Sequence, residues 1–188
     1  MHSKADVILI TGHPATGKTT LAKRLSADLH LSLLCKDAIK ETLFDSLGYS
    51  DRAWSERLGP PTWEVMYLQI ESLLKAGVSH VAEANFDPRF ANPKWQRYTT
   101  QFPINLIQVR CHAKPHVILE RYRQRIADGS RHPGHVDRLF DDRQFLAGVQ
   151  TPLGWVDVPS QHIDLDTTQF GDVAYHQLLA KIHEKQLC

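Results

Sequence analysis

The chain has 188 residues, enough for one domain with a core that needs no covalent staples. Apolar residues make up 42% and charged residues 23%, with a net charge of +1, which argues against a dedicated nucleic-acid binder. No apolar run reaches the ~18 residues of a membrane span, Met1–Asp6 lacks the apolar core of a signal peptide, and Cys35, Cys111 and Cys188 are too far apart to frame a metal site, so a reducing cytoplasm is the expected compartment.

The pattern alternates strand and helix throughout. Ala5–Thr11 (ADVILIT) is a continuous apolar run, as a strand buried on both faces requires. A helix is predicted from about Gly17 to Leu29, then a short strand at Leu31–Cys35. The next helix runs to about Leu47, with Asp37 placed to cap it and Gly48 suited to its end. Tyr49–Pro61 reads as irregular, with room for a short helix. Thr62–Ala76 is helical, with Gly77 as its stop, and Val78–Ala84 is a third strand. Phe90–Gln101 is a helix bounded by Pro93 and Pro103. Ile104–Arg110 is the fourth strand. Pro115–Asp128 is a helix closed by Gly129, Ser130–Gly134 a polar loop, and Val136–Ala147 helical again. Ile163–Asp166 is a fifth strand and Val173–Gln186 the last helix. This order predicts an α/β fold, a doubly wound parallel sheet with helices on both faces, in one domain.

Gly12 to Thr19 (GHPATGKT) fits G-x-x-x-x-G-K-[ST] in full, between an apolar strand and a helix. Glycines let such a loop bend and bring N–H groups to phosphate oxygens, and the helix dipole adds positive potential. The backbone of Gly12, His13, Pro14, Ala15, Thr16, Gly17, Lys18, Thr19 and Thr20 is therefore expected to hold the phosphates of a nucleotide. Lys18 reaches the β- and γ-phosphates, and the Thr19 hydroxyl ligates Mg²⁺. The His13 side chain is expected to point away from the chemistry.

Asp37 follows the second strand, at the end of the sheet where α/β ligands bind. It reads either as the base or orienting acceptor for an attacking hydroxyl, or as a helix cap. The third strand, interrupted by Ser79 and His80, ends in Glu83. That residue either holds a Mg²⁺-bound water or pairs with a helix-borne lysine or arginine, and Asn85 is placed to touch an acceptor. Arg121 and Arg125, four apart, share a helix face that can cover a polyphosphate. They open a segment of about 121–137 with the build of a lid, which also carries Arg131; the alternative is a solvated basic face. The pairs His132/His135 and His112/His116 lack companion ligands at metal spacing.

These strings together (GHPATGKTT, KDAIKETL, EANF, RCHAKPHVILERYRQR and RHPGH) resemble the small P-loop kinases related to chloramphenicol phosphotransferase, polynucleotide 5′-hydroxyl kinase and the zeta-toxin kinases. The resemblance implies a P-loop NTPase fold, with five parallel strands in the order 2-3-1-4-5, and ATP with Mg²⁺ as donor. It implies Asp37 as base toward the acceptor hydroxyl, and Arg121, Arg125 and possible help from Arg131 around the transferred phosphate. The expected activity is phosphoryl transfer to the hydroxyl of a small molecule. A polynucleotide 5′-hydroxyl kinase and an ATPase or NTP-binding switch are the alternatives. Tyr49, Trp54, Trp63 and Tyr67, in a segment acidic by one charge, read as walls for a small neutral or cationic alcohol, with core packing of Trp63 and Tyr67 as the other reading.

Overall fold

In a computed structural model, which describes residues 4–136 and 141–186, the apolar run at the start of the chain forms β1 (Ala5–Gly12). The end of the expected lid at Asp137, part of the helix expected from Val136, and Cys188 lie outside the described residues. The remaining strands are β2 (Ser32–Cys35), β3 (His80–Glu83), β4 (Ile104–His112) and β5 (Gln161–Asp166). All pair in parallel, in the order β2-β3-β1-β4-β5. β1 sits at the centre because its side chains are apolar on both faces. Val7 and Leu9 face one core and Ile8 and Ile10 the other, the two-residue alternation of a strand.

The helices cover those two faces. On one side, α4 (Gly59–Lys75) and α5 (Pro88–Gln101) bury Met66, Ile70, Trp95 and Tyr98 against Val7 and Leu9. On the other, α1 (Lys18–Asp28) and α8 (Asp172–Gln186) bury Leu21, Leu25, Tyr175 and Ile182 against Ile8 and Ile10. Between them in sequence lie α2 (Lys36–Leu47), α3 (Arg52–Arg57), α6 (Pro115–Ala127) and α7 (Asp142–Val149). Among the described residues no helix is long and apolar enough to cross a membrane.

Several boundaries differ from expectation for identifiable reasons. α4 begins at Gly59 rather than Thr62, because Pro60 and Pro61 occupy a first turn whose N–H groups have no intrahelical partner. Pro93 lies inside α5 instead of bounding it. Of the helix expected over Val136–Ala147, Val136 itself is left-handed at φ 54° and ends a 3-10 turn, while α7 covers the part from Asp142, with the Asp141 side chain accepting from the Arg143 N–H. Asp37 is not the cap of α2. The helix already includes Lys36, Cys35 stands at the cap position, and the Asp37 carboxylate is free for other partners.

His80 is fully buried at the start of β3. Its Nδ1–H donates to the Val78 carbonyl at 2.9 Å, while Nε2 has no partner. Burial holds its pKa below the ordinary histidine value. A histidine kept neutral in the fold contributes full stability above the unfolded pKa of ~6.5 and loses it as pH falls below that value. Between pH 7.5 and 5.5 the wild type should therefore lose about 1 kcal/mol relative to His80→Leu. Parallel urea titrations of the two proteins check this, and equal losses would show that His80 does not titrate in the unfolding equilibrium.

Candidate active site

The C-terminal end of β1 turns into α1 through a loop that only certain backbones can follow. Gly12 has φ 154°, and a Cβ there would lie 2.4 Å from the Cys111 carbonyl oxygen, so no side chain fits. Gly17 is left-handed at φ 80° immediately before Lys18. The Thr16 hydroxyl donates to the His13 carbonyl at 2.8 Å and closes the loop on itself. The His13 imidazole lies 2.8 Å from the Thr151 carbonyl and so ties the loop to the segment before β5.

Behind the loop lies Glu83, buried at the end of β3, where β3 pairs with both β1 and β2. Its Oε2 accepts from the Thr19 hydroxyl at 3.2 Å and from the Cys35 thiol at 2.9 Å, while Oε1 stands 3.7 Å from Lys18 Nζ. Of the two sequence readings of Glu83, pairing with a helix-borne lysine is seen, and that lysine is the loop's Lys18. Because the Thr19 hydrogen points at Glu83, its lone pairs face away from that carboxylate. A hydroxyl with a carboxylate behind it is a hard oxygen donor set and fits Mg²⁺.

In front of the loop is a cavity of about 1000 Å³, with Lys18, Thr19, Asp37, Arg121, Arg125 and Arg131 on its walls. Asp37 reaches it from the first turn of α2. Its Oδ2 accepts from Arg131 Nη1 at 2.8 Å, and its Oδ1 lies 3.3 Å from Lys36 Nζ. Burial alone would raise this carboxyl, but Lys36, Arg131 and Lys18 together outweigh it and hold Asp37 well below the usual carboxylate range. Such a group is a strong hydrogen-bond acceptor and a poor proton acceptor.

The two arginines of α6 are engaged differently. Arg121 Nη2 donates to the Thr167 carbonyl at 2.7 Å, and the Thr167 hydroxyl lies 2.8 Å from the Thr16 carbonyl. Arg121 therefore clamps α6 to the phosphate loop through the segment after β5. Arg125, in the last turn of α6, lines the cavity. The loop beyond docks on α2: His135 Nε2 meets Glu41 at 3.0 Å, His132 Nε2 meets Asp45 at 3.1 Å, and His132 stacks on Phe44. A carboxylate meets each of the two imidazoles.

Of the readings of the aromatic segment, core packing of Trp63 and Tyr67 is the one seen. Trp63 and Tyr67 stack on each other at 5.5 Å and pack on the core, and Tyr49 lies edge-on to His132. The cavity wall next to Asp37 is made instead by Cys35, Ile39 and Gln69. Cys35 and Lys36 are site residues that sequence reading missed. Their one signal was adjacency to Asp37, which carries no information about Glu83.

Residues 7–144 match the protein family described as an AAA domain. No curated protein matches the chain. Among solved structures, a putative kinase from Chloroflexus aurantiacus J-10-fl is 38% identical, with a TM-score of 0.84, over 95% of this chain and 98% of that one. Two more distant structures share the fold. A sugar kinase from Janibacter sp. HTCC2649 is 14% identical with a TM-score of 0.54, over 95% and 94% of the two chains. A gluconokinase from Sinorhizobium meliloti 1021 is 13% identical with a TM-score of 0.53, over 98% of each.

Proposed function

The chain belongs to the AAA-domain family, and on that premise we propose that it is a kinase that transfers the γ-phosphate of ATP to a hydroxyl of a small molecule. The observation that carries this is a second carboxylate. Glu83 already stands behind Lys18 and Thr19, yet Asp37 faces the same cavity from another strand end. Hydrolysis of a nucleotide has no need of an acceptor site, whereas a kinase has to orient a second substrate. The kinase name of the 38%-identical relative supports the same reading.

In this proposal the loop from Gly12 to Thr20 cradles the phosphates, and Thr19, with Glu83 behind it, holds Mg²⁺. When bound, that ion neutralises charge on the β- and γ-phosphates. Lys18 and Arg125 stabilise the charge of the transferred group, Arg121 holds the lid helix against the loop, and Arg131 moves between Asp37 and phosphate. Asp37 accepts the hydrogen bond of the acceptor hydroxyl and aims its oxygen at the γ-phosphorus. The new P–O bond forms as the β–γ bridge breaks, the hydroxyl proton passes to an oxygen of the transferred phosphoryl group because Asp37 is too acidic to keep it, and ADP leaves. The segment of about 121–137 acts as the lid.

A small molecule is favoured over a polynucleotide because the segment from Tyr49 to Tyr67 is acidic by one charge, which suits a phosphate backbone poorly, and because Trp63 and Tyr67 pack on the core and do not present their faces to bases. The test is transfer from labelled ATP to a panel of polyols, sugars, amino alcohols and 5′-hydroxyl oligonucleotides. Label is expected on a small alcohol. Oligonucleotide labelling that falls steeply with log[salt] would instead establish a polynucleotide acceptor. ADP release at one rate with and without every acceptor would establish an ATPase.

A further inference from the structure

We infer that Cys35 is a positioning residue for the Glu83 carboxylate, and through it for the Mg²⁺ that accompanies the nucleotide; this rests on the nucleotide-binding reading of the site. Cys35 is the register partner of Glu83 in the parallel pair of β2 and β3, so their side chains leave adjacent strands side by side. The thiol is buried and its sulfur lies 2.9 Å from Glu83 Oε2.

A carboxylate at the end of a glutamate side chain turns freely about its last bond unless something fixes its plane. Here two donors converge on one oxygen. Thr19 reaches Oε2 from the loop side and Cys35 from the side of β2. With Oε2 held between them, Oε1 is left toward Lys18. Thr19 cannot fix the plane alone, because its own hydroxyl rotates and has to keep a lone pair for the metal. A thiol is a weak donor to neutral acceptors, but an ionised carboxylate strengthens the bond. Groups that orient a metal-facing carboxylate from behind typically change metal affinity ~10- to 100-fold when removed.

The test compares Cys35→Val, which keeps the shape and removes the donor, with Cys35→Ser, which keeps a donor. Calorimetric affinity for adenylyl imidodiphosphate is measured with saturating Mg²⁺ and in excess EDTA. The ratio of the two affinities reads the coupling between metal and nucleotide without any turnover. We expect the ratio to fall ~10-fold in Cys35→Val and to be largely restored in Cys35→Ser, with the EDTA affinity unchanged in both. Cys35→Ala carries the same test should the valine variant misfold. An unchanged ratio in the variants without a donor would overturn the inference. So would a loss of equal size with Mg²⁺ and in EDTA, which marks a packing defect. Failure of the wild type to bind the analogue under either condition would overturn the nucleotide-binding reading itself, and the inference with it.

Discussion

Lys18→Ala should bind ATP at least ~10²-fold more weakly, about 2.7 kcal/mol, in isothermal calorimetry. The lysine stands at the loop's helix end, and in the proposed reaction it supplies a point charge to the β- and γ-phosphates. The same substitution should also lower stability, which the sequence pattern alone does not indicate. The Lys18 side chain is 11% exposed and that of Glu83 only 2%, so the lysine is the nearest counter-charge to a buried carboxylate. Breaking a buried pair by removing one partner costs roughly 3–5 kcal/mol. Thr19 and Cys35 still donate to Glu83, which puts the expected loss near the low end, or about 6–12 °C in melting temperature for a chain of this size. Adding Glu83→Gln to Lys18→Ala removes the orphaned charge. The double variant should regain most of its melting temperature and none of its ATP affinity. Recovery of affinity together with stability would show that Lys18 acts on the fold and not on phosphate.

The second large effect is expected at Asp37. Asp37→Asn should lower kcat by ~10²-fold or more and leave the KM for ATP within a few-fold, the pattern of an interaction made mainly in the transition state. The amide keeps the size of the carboxylate but accepts only a weak hydrogen bond from the attacking hydroxyl. It also releases Arg131, now 2.8 Å from Oδ2, and Lys36 from their shared counter-charge. Removing a negative charge beside the phosphates favours ATP, so a weakened KM would not arise from this residue's role. Steady-state kinetics with the acceptor found by the labelling panel checks the split. A loss of only a few-fold in kcat, with a lowered melting temperature, would make Asp37 a structural anchor for the lid loop.

How much of this was legible in the chain depends on how local each feature is. The apolar run of β1 and the glycine pattern after it are written within about fifteen residues, and both the element and its chemistry follow from sterics and backbone hydrogen bonding. The alternation of elements predicts a parallel sheet with helices on both faces, the family resemblance implies the strand order, and the sheet has that order. Of the surroundings of Glu83, a helix-borne lysine was legible and the Cys35 and Thr19 contacts were not. The Cys35 contact spans 48 positions and the Thr19 contact 64, and they meet only because β2 and β3 pair in one particular register. The Asp37–Arg131 contact spans 94 positions and needs the loop after α6 to lie on α2. Helix starts at Gly59 and Asp142 were misjudged because prolines and a left-handed Val136 override the apolar periodicity that locates helices elsewhere.

The placement of Cys35 and Cys111 has a consequence for how the chain meets oxidants. Burial pushes both thiols up to about 12. At neutral pH such a group holds far less thiolate than the few per cent of an ordinary cysteine, and the thiolate is the form that peroxides and electrophiles attack. Cys111 is closed off within β4 beside the phosphate loop, whereas Cys35 forms part of the cavity wall next to Asp37. The chemistry of Cys111 is thus gated by breathing of β4, and that of Cys35 by what fills the cavity. Damage at Cys111 would record how often the sheet has opened, and a ligand in the cavity would shield Cys35.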